Sequence, residues 1–441
     1  MYRNPDSHGG DIAVTISPRQ ATSGSESFAD KASMDVFVAR QAILNRQKSL
    51  YAYELLFRSC KERNSFDGTD SSSATRQVIA NTLFSVGLEE ILCGKKAFIN
   101  FDRNLLLSDS GAILPKDTLV IEILESIEPD EEVVAACARL CESGFTIALD
   151  DFVYHPKFDS LIQKAHFIKI DMTSTPRREQ QRLVQKYGKQ GIRMLAEKVE
   201  TMEEFEWARS VGYDYFQGYF FTKPVIVSGP RIPSSKMACL RLIEEAQREE
   251  LDFGKLRQLI KDDVSLSYKL LRFTNSAIFP HHGEIRTIDQ GLLALGENGI
   301  RRWVAIAALP GLAKDKPHEL IVQSLVRARF SERLADLAGF GSSQSWFLLG
   351  LFSLLDALLD RKIEFALQQI KLPQPVEEAL LGTAPSEDRM AKVYSLVRGY
   401  EAGDWDIVTT LANRLGMPAA AIGTAYVESA HWAAEVSGMS L

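Results

Sequence analysis

The stretch TIALDDF, residues 146–152, sets two adjacent carboxylates directly after an apolar run. Two acids cannot lie unpaired in a core, so Asp150 and Asp151 mark the point where a buried strand opens into a polar site. The arrangement recurs on both sides, in YAYELLF (51–57), KAFINF (96–101), TLVIEIL (118–124), HFIKID (166–171), MLAEKVE (194–200) and YFQGYFF (215–221). Each run carries a polar residue at or near its end: Glu54, Asn100, Glu122, Asp150 with Asp151, Lys169, Glu197 and Gln217. After the first interval, of 46 residues, they follow one another at 22, 28, 19, 28 and 20 residues, about one strand–helix unit each. Helical stretches lie between, such as 131–143 ended by Gly144 and 177–190 ended by Gly191. Repeated strand–helix units imply a parallel sheet, either doubly wound or closed into a barrel.

In a barrel the strand ends meet at one face, so these side chains would converge. Four acids, Asp151 and an amide make an oxygen-rich cluster suited to Mg²⁺, Mn²⁺ or Ca²⁺. Two adjacent hard cations can activate water and stabilise the charge that builds on a phosphodiester during hydrolysis.

Farther out, the pattern changes. Residues 1–33 are rich in Ser, Gly, Asp, Pro and Arg and read as a disordered tail. Structure is expected from 34, with strand-like character at Val36, Phe37 and Val38. VSGPRIPSS (227–235) has the composition of an interdomain linker. The expected domains are thus 34–228 and 237–441, joined by 229–236. Beyond the linker only helical periodicity remains, at 236–250, 265–275, 297–309, 320–338, 344–360, 386–400, 404–415 and 418–436. The class is α/β followed by all-α.

The chain carries a formal net charge of −7, which disfavours broad electrostatic binding of nucleic acid. Its five cysteines (60, 93, 137, 141, 239) are odd in number and include no Cys-x-x-Cys pair. That reads as reduced, cytoplasmic usage, with Cys137 and Cys141 in a helix core. The longest apolar stretch, 346–355, is too short to span a bilayer, so no membrane association is expected.

Residues 36–226 resemble the EAL family of cyclic-di-GMP phosphodiesterases, whose fold is a modified TIM-like βα barrel. The namesake Glu-Ala-Leu-x-Arg appears as Glu54-Leu55-Leu56-Phe57-Arg58. The family's Asn matches Asn100, its Glu-x-x-Glu matches Glu122 and Glu125, and its Asp-Asp-Phe matches Asp150-Asp151-Phe152. Its Lys-x-Asp matches Lys169 and Asp171, its Ala-Glu-Gly-Val-Glu matches AEKVE with Glu197 and Glu200, and its Gln-Gly-Tyr and later Pro match Gln217-Gly218-Tyr219 and Pro224. The resemblance implies Glu54, Asn100, Glu122, Asp150 and Asp151 as ligands of Mg²⁺ or Mn²⁺. It implies Lys169 and Glu197 as the groups that position or deprotonate the attacking water. Arg58 would hold a ligand phosphate, Gln217 would line the site, and Glu125 and Glu200 would support its loops.

Three departures stand out. The glycine-containing loop after Asp-Asp-Phe is replaced by Val153-Tyr154-His155-Pro156-Lys157, the namesake Ala is Leu55, and the Gly of Ala-Glu-Gly-Val-Glu is Lys198. They imply reduced metal affinity and slow or undetectable hydrolysis. His155 is read as solvent-facing, and Lys198 as lying either near the metals or in solvent.

The second half resembles the HDOD domain, a relative of HD and HD-GYP metal hydrolases, through IKDDVSLSYKLLRFTNSA, IDQGLLALGENGIRRW and WFLLGLFSLLDALL. Those hydrolases need an adjacent His-Asp pair. His281, His282, His318 and His431 are not followed by Asp, so a docking module is expected instead. Together the halves resemble EAL–HDOD bacterial signalling proteins. The expected function is cyclic-di-GMP-related signalling, with the barrel binding the dinucleotide or a protein and the HDOD half passing the state to a signalling partner. Homodimerisation is a further expectation. The alternative is an active Mg²⁺- or Mn²⁺-dependent phosphodiesterase producing linear pGpG.

Overall fold

Strands only five or so residues long, with side chains alternating between two faces, can each contribute one apolar and one polar layer to a closed interior. That is how the first half is built. The computed structural model describes residues 36–59, 91–108, 114–224, 232–248, 250–276, 278–279, 283–341 and 344–439. The tail 1–33, residues 229–231 of the expected linker, Cys60, His281 and His282 lie outside the described residues. Eight strands close in sequential order: β1 (Val36–Asn45), β2 (Leu50–Ser59), β3 (Lys96–Phe101), β4 (Leu119–Ile123), β5 (Thr146–Leu149), β6 (Phe167–Asp171), β7 (Arg193–Glu197) and β8 (Tyr215–Gln217).

Strands β2 to β8 are parallel, but β1 pairs antiparallel with both β2 and β8. The parallel sheet inferred from strand–helix alternation is thus present from β2 to β8, and β1 is the antiparallel addition to it. The reason is local: four residues, 46–49, join β1 to β2, and a parallel crossover needs a dozen or more. Asn45 Oδ1 accepts the Gln47 and Ser49 amides at 3.0 and 2.9 Å, and Lys48 turns the chain at φ 60°.

Between the later strands run α1 (Arg103–Leu107), α2 (Glu131–Glu142), α3 (Asp159–Ile162), α4 (Arg177–Gly188) and α5 (Met202–Val211). Cys137 is buried in α2 and Cys141 is half-buried. The barrel interior is filled by Ile43, Ala52, Phe98, Val120, Ala148, Phe167 and Leu195. Two residues farther along each of the parallel strands stands a polar residue. Period-2 alternation thus turns an apolar plug into a floor for a polar layer.

The second half is helical: α6 (Ser234–Ala246), α7 (Phe253–Asp262), α8 (Val264–Thr274), α9 (Ile288–Leu312), α10 (His318–Leu337), α11 (Gln344–Phe352), α12 (Leu355–Leu359), α13 (Ile363–Leu367), α14 (Gln374–Leu381), α15 (Arg389–Ala402), α16 (Trp405–Arg414) and α17 (Ala419–Gly438). The single helix expected over 344–360 is broken at Ser353 and Leu354. There Ser353 Oγ donates to the Gly350 carbonyl at 2.7 Å and accepts from Arg327 Nη1 at 3.1 Å. Among the described residues no helix is long and apolar enough to cross a membrane.

The halves share one compact unit, Ser33–Leu441. β8 covers β1 only along Ile43–Asn45, which leaves the rest of that edge open. Helices α15 and α17 pack on β1. The Tyr400 hydroxyl accepts the Val38 amide at 3.1 Å and donates to the Val38 carbonyl at 3.0 Å. Phe37 stacks on Trp405 with ring centres 5.4 Å apart. A strand edge that would otherwise recruit other chains is thereby covered.

Candidate active site

The polar layer gathers around one ammonium. Lys169 points inward from β6 and is fully buried. Its Nζ lies 2.6 Å from Glu122 Oε1, 2.7 Å from Asp150 Oδ1, 2.9 Å from Glu197 Oε1 and 3.2 Å from Glu54 Oε2. Gln217 Nε2 donates to Glu54 Oε2 at 2.6 Å and to Gln41 Oε1 at 3.0 Å, and Asn100 Nδ2 reaches Glu54 Oε1 at 3.4 Å. Seven side chains from seven strands thus meet as the sequence spacing suggested, and Gln41 of β1 is an eighth. Its signal was Ile43: in an antiparallel strand the polar position precedes its apolar neighbour.

Glycine is required where the layer closes. Gly218 has φ 143°, and a Cβ there would collide with the Val199 backbone. The Val199 amide donates to the Gln217 carbonyl at 3.0 Å, which ties the end of β7 to the end of β8.

Six carboxylates, those of Glu54, Glu122, Asp150, Asp151, Asp171 and Glu197, face two ammoniums, Lys169 and Lys198. The imbalance shows in proton affinities. Burial, reinforced by Glu54 and Asp150, pushes the Glu122 carboxyl well above its ordinary range. Burial pushes Glu197 up to about 8, against the opposing pull of Lys169. Burial alone would lower Lys169, but the surrounding carboxylates hold it well above the ordinary lysine value.

Asp151 stands one step outward in a left-handed conformation, φ 39°. Burial raises its carboxyl and Lys198 opposes the rise. Lys198 lies at the rim of the site: its Nζ is 2.6 Å from Asp171 Oδ2 and 3.9 Å from Asp151 Oδ1. Asp171 is a site residue to which sequence reasoning gave no role beyond its motif.

Arg58 and Glu200 are not brought into the cluster, and Glu125 stands at its edge, lining one cavity with Asp150 and Asp151. Arg58 pairs with Asp406 of the helical half at 3.0 Å. Glu200 pairs with Lys223 at 2.8 Å. Glu125 is exposed, and the loop after Asp151 is tied instead by Lys157 to Glu128 at 2.7 Å. His155 is exposed and caps the 3₁₀ turn Pro156–Phe158, accepting the Lys157 amide at 3.2 Å.

For a divalent cation the donor chemistry fits. Glu122 Oε2, Glu197 Oε2, Asn100 Oδ1, Asp151 Oδ1 and Gln217 Oε1 are buried with no hydrogen-bond partner. Hard oxygen donors in carboxylate excess are what Mg²⁺ and Mn²⁺ select. Among the described residues no three acidic, His or Cys side chains form a ready-made ion cage; the four inner carboxylates converge on the Lys169 ammonium instead.

Comparison with known proteins agrees with this architecture. The EAL domain model matches residues 71–224, beginning after the strand that carries Glu54, and the HDOD domain model matches 232–364. The chain is 36% identical to the uncharacterized protein YuxH of Bacillus subtilis over 407 residues, 90% of this chain and 98% of that one. It is 33% identical to the cyclic di-GMP phosphodiesterase CdgJ of Vibrio cholerae, over 91% of this chain and 93% of that one. Among solved structures it is similar to Klebsiella pneumoniae BlrP1 in a calcium/cyclic-di-GMP complex, at 24% identity and a TM-score of 0.36, covering 42% of this chain and 54% of that one. Barrel, helical half and matched domain order agree, and the chain belongs to the family that joins an EAL domain to an HDOD domain.

Proposed function

We propose that the barrel mouth binds cyclic di-GMP and hydrolyses it slowly to linear pGpG, and that the helical half passes the ligand state to a protein partner. The observation that carries the reading is the convergence of Glu54, Asn100, Glu122, Asp150, Glu197 and Gln217 around buried Lys169. A structural ion network has no need of that many uncompensated oxygens in one place.

Glu54, Asn100, Glu122 and Asp150 would hold a divalent cation, Mg²⁺ or Mn²⁺, with Lys169 releasing part of its carboxylate contacts. When bound, such an ion supplies charge stabilisation to the phosphodiester and acidity to a coordinated water. Glu197, anchored by Lys169, would orient the water and take its proton. With its carboxyl at about 8, it is a base at neutral pH only where further positive charge reaches the cluster. Arg58 would take a ligand phosphate in its forked donors once it leaves Asp406.

The loop at 153–158 supports low turnover. It carries no glycine and contains Pro156, so its accessible backbone angles differ from those of a glycine loop. A misplacement of about 1 Å can cost on the order of 100-fold in rate.

The test is calorimetric binding of cyclic di-GMP beside a turnover assay with Mg²⁺ and Mn²⁺, on the wild type and on Glu54→Ala and Glu197→Gln. Binding with slow release of pGpG, lost in Glu54→Ala, is expected. No binding overturns the reading. Fast turnover overturns only the assignment of low activity.

A further inference from the structure

The outer rim of the site carries its own cation. Asp171 is committed on both oxygens: Oδ1 accepts the Thr173 amide at 2.6 Å, its hydroxyl at 2.7 Å and the Ser174 amide at 3.2 Å, while Oδ2 faces Lys198 Nζ at 2.6 Å. A carboxylate held this way is a fixed anchor, and it aims the lysine. Burial alone would raise the Asp171 carboxyl, but these donors hold it at about 2, so it stays charged and keeps its hold.

The anchored ammonium then reaches to 3.9 Å from Asp151 Oδ1. The backbone contributes as well. Lys198 has φ 53°, a left-handed conformation that costs a residue with a Cβ and that glycine adopts freely. The surrounding chain imposes that turn directly after Glu197 of β7, and the turn carries the lysine to the rim.

The inner and outer groups therefore differ in how far their charge is met. Inside, four carboxylates share one ammonium, with Glu122 Oε2, Glu197 Oε2 and Asn100 Oδ1 buried and unpartnered. Outside, Asp151 Oδ1 also has no hydrogen-bond partner, but only two carboxylates, Asp151 and Asp171, share an ammonium, and that ammonium repels a second cation at their side.

We infer that Lys198 serves as the built-in cation of the outer carboxylates, so that this site takes one divalent ion, on the inner group, instead of two. The inference rests on the proposed reading of the barrel mouth as a metal site. It also makes the Lys198 ammonium the charge that meets a phosphate oxygen on the Asp151 side.

The experiment is a Mn²⁺ titration of the chelator-treated full chain, followed by calorimetry and by the electron paramagnetic resonance of free Mn²⁺. It compares the wild type with Lys198→Gly, which suits the left-handed backbone, and with Lys198→Arg, which keeps the charge. Thermal unfolding of each variant checks that it is folded. One saturable ion per chain in the wild type and in Lys198→Arg, and two in Lys198→Gly, is the expected result. Two ions in the wild type, or a single ion in Lys198→Gly, overturns the inference and leaves the metal reading standing. No Mn²⁺ on any of the three proteins overturns both.

Discussion

Lys169 shows how one residue can hold a site together and yet make it costly. Its ammonium is fully buried against four carboxylates, and each contact repays part of the desolvation that burial imposes on both partners. Lys169→Met would leave the apolar stem in place and strand the carboxylates. Removing one partner from a buried charged group costs about 3–5 kcal/mol. We expect a loss of that order in urea unfolding near pH 9, shrinking as pH falls through about 8, where Glu197, raised by burial, takes up its proton and its repulsion with Asp150 and Glu54 falls. An unchanged urea midpoint across that range would show that the ammonium does not hold the cluster.

At the scale of elements, the most consequential pairing is between a strand and a helix. β8 is three residues long and stops short of most of β1, so the Val38 amide and carbonyl have no strand neighbour on that side. A single hydroxyl from α15 satisfies both, and Tyr400 is fully buried where it does so. Tyr400→Phe keeps the ring packing on Phe330 and Tyr426 but leaves two buried backbone groups unpaired. The expected cost is about 1–3 kcal/mol, read as a lower unfolding midpoint with the fold retained. A midpoint equal to that of the wild type would mean that water or a shifted neighbour replaces the hydroxyl.

For the whole molecule, the junction of barrel and helices is also an electrostatic device. Glu319, at the start of α10, is buried and accepts from the Tyr53 hydroxyl at 3.1 Å. Burial pushes its carboxyl up to about 7, and Arg40, Tyr53 and Lys95 only partly oppose the rise. The folded chain therefore holds this proton more tightly than the unfolded chain, whose carboxyl has the ordinary value of 4.5. The resulting stability is fully present below that value and is lost as pH rises through about 7. We expect the wild type to lose up to about 3 kcal/mol relative to Glu319→Gln between pH 5 and pH 8. Parallel stability curves for the two proteins would contradict this. The second device is the pair of Arg58 with Asp406, which ties the barrel's proposed phosphate ligand to α16. Both side chains are partly or largely exposed, so the pair is worth no more than about 1 kcal/mol. Asp406→Asn should tighten cyclic-di-GMP binding by up to about fivefold, with a smaller effect at high salt, in calorimetric titrations. Equal affinity for both proteins would show that Asp406 does not compete for Arg58.

The alternation of apolar and polar residues is local, so it was readable without a structure. Phe98 with Asn100, Val120 with Glu122, Phe167 with Lys169 and Leu195 with Glu197 already specify which side chains share the barrel interior, and their spacing specifies a strand–helix repeat. The change to helix-only periodicity beyond the linker was legible on the same grounds. What only the tertiary structure decided is how charges and edges find partners, because that depends on contacts between segments 27 to 362 residues apart. Nothing near Lys198 says that it turns toward Asp171, nothing near Arg58 says that Asp406 awaits it, and nothing near Val38 says that Tyr400 completes its hydrogen bonds. The antiparallel β1 came from the shortness of the 46–49 turn, a constraint on connection length that residue patterns alone do not weigh. Side-chain period sets which face a residue occupies, whereas convergence of distant segments sets what it meets there.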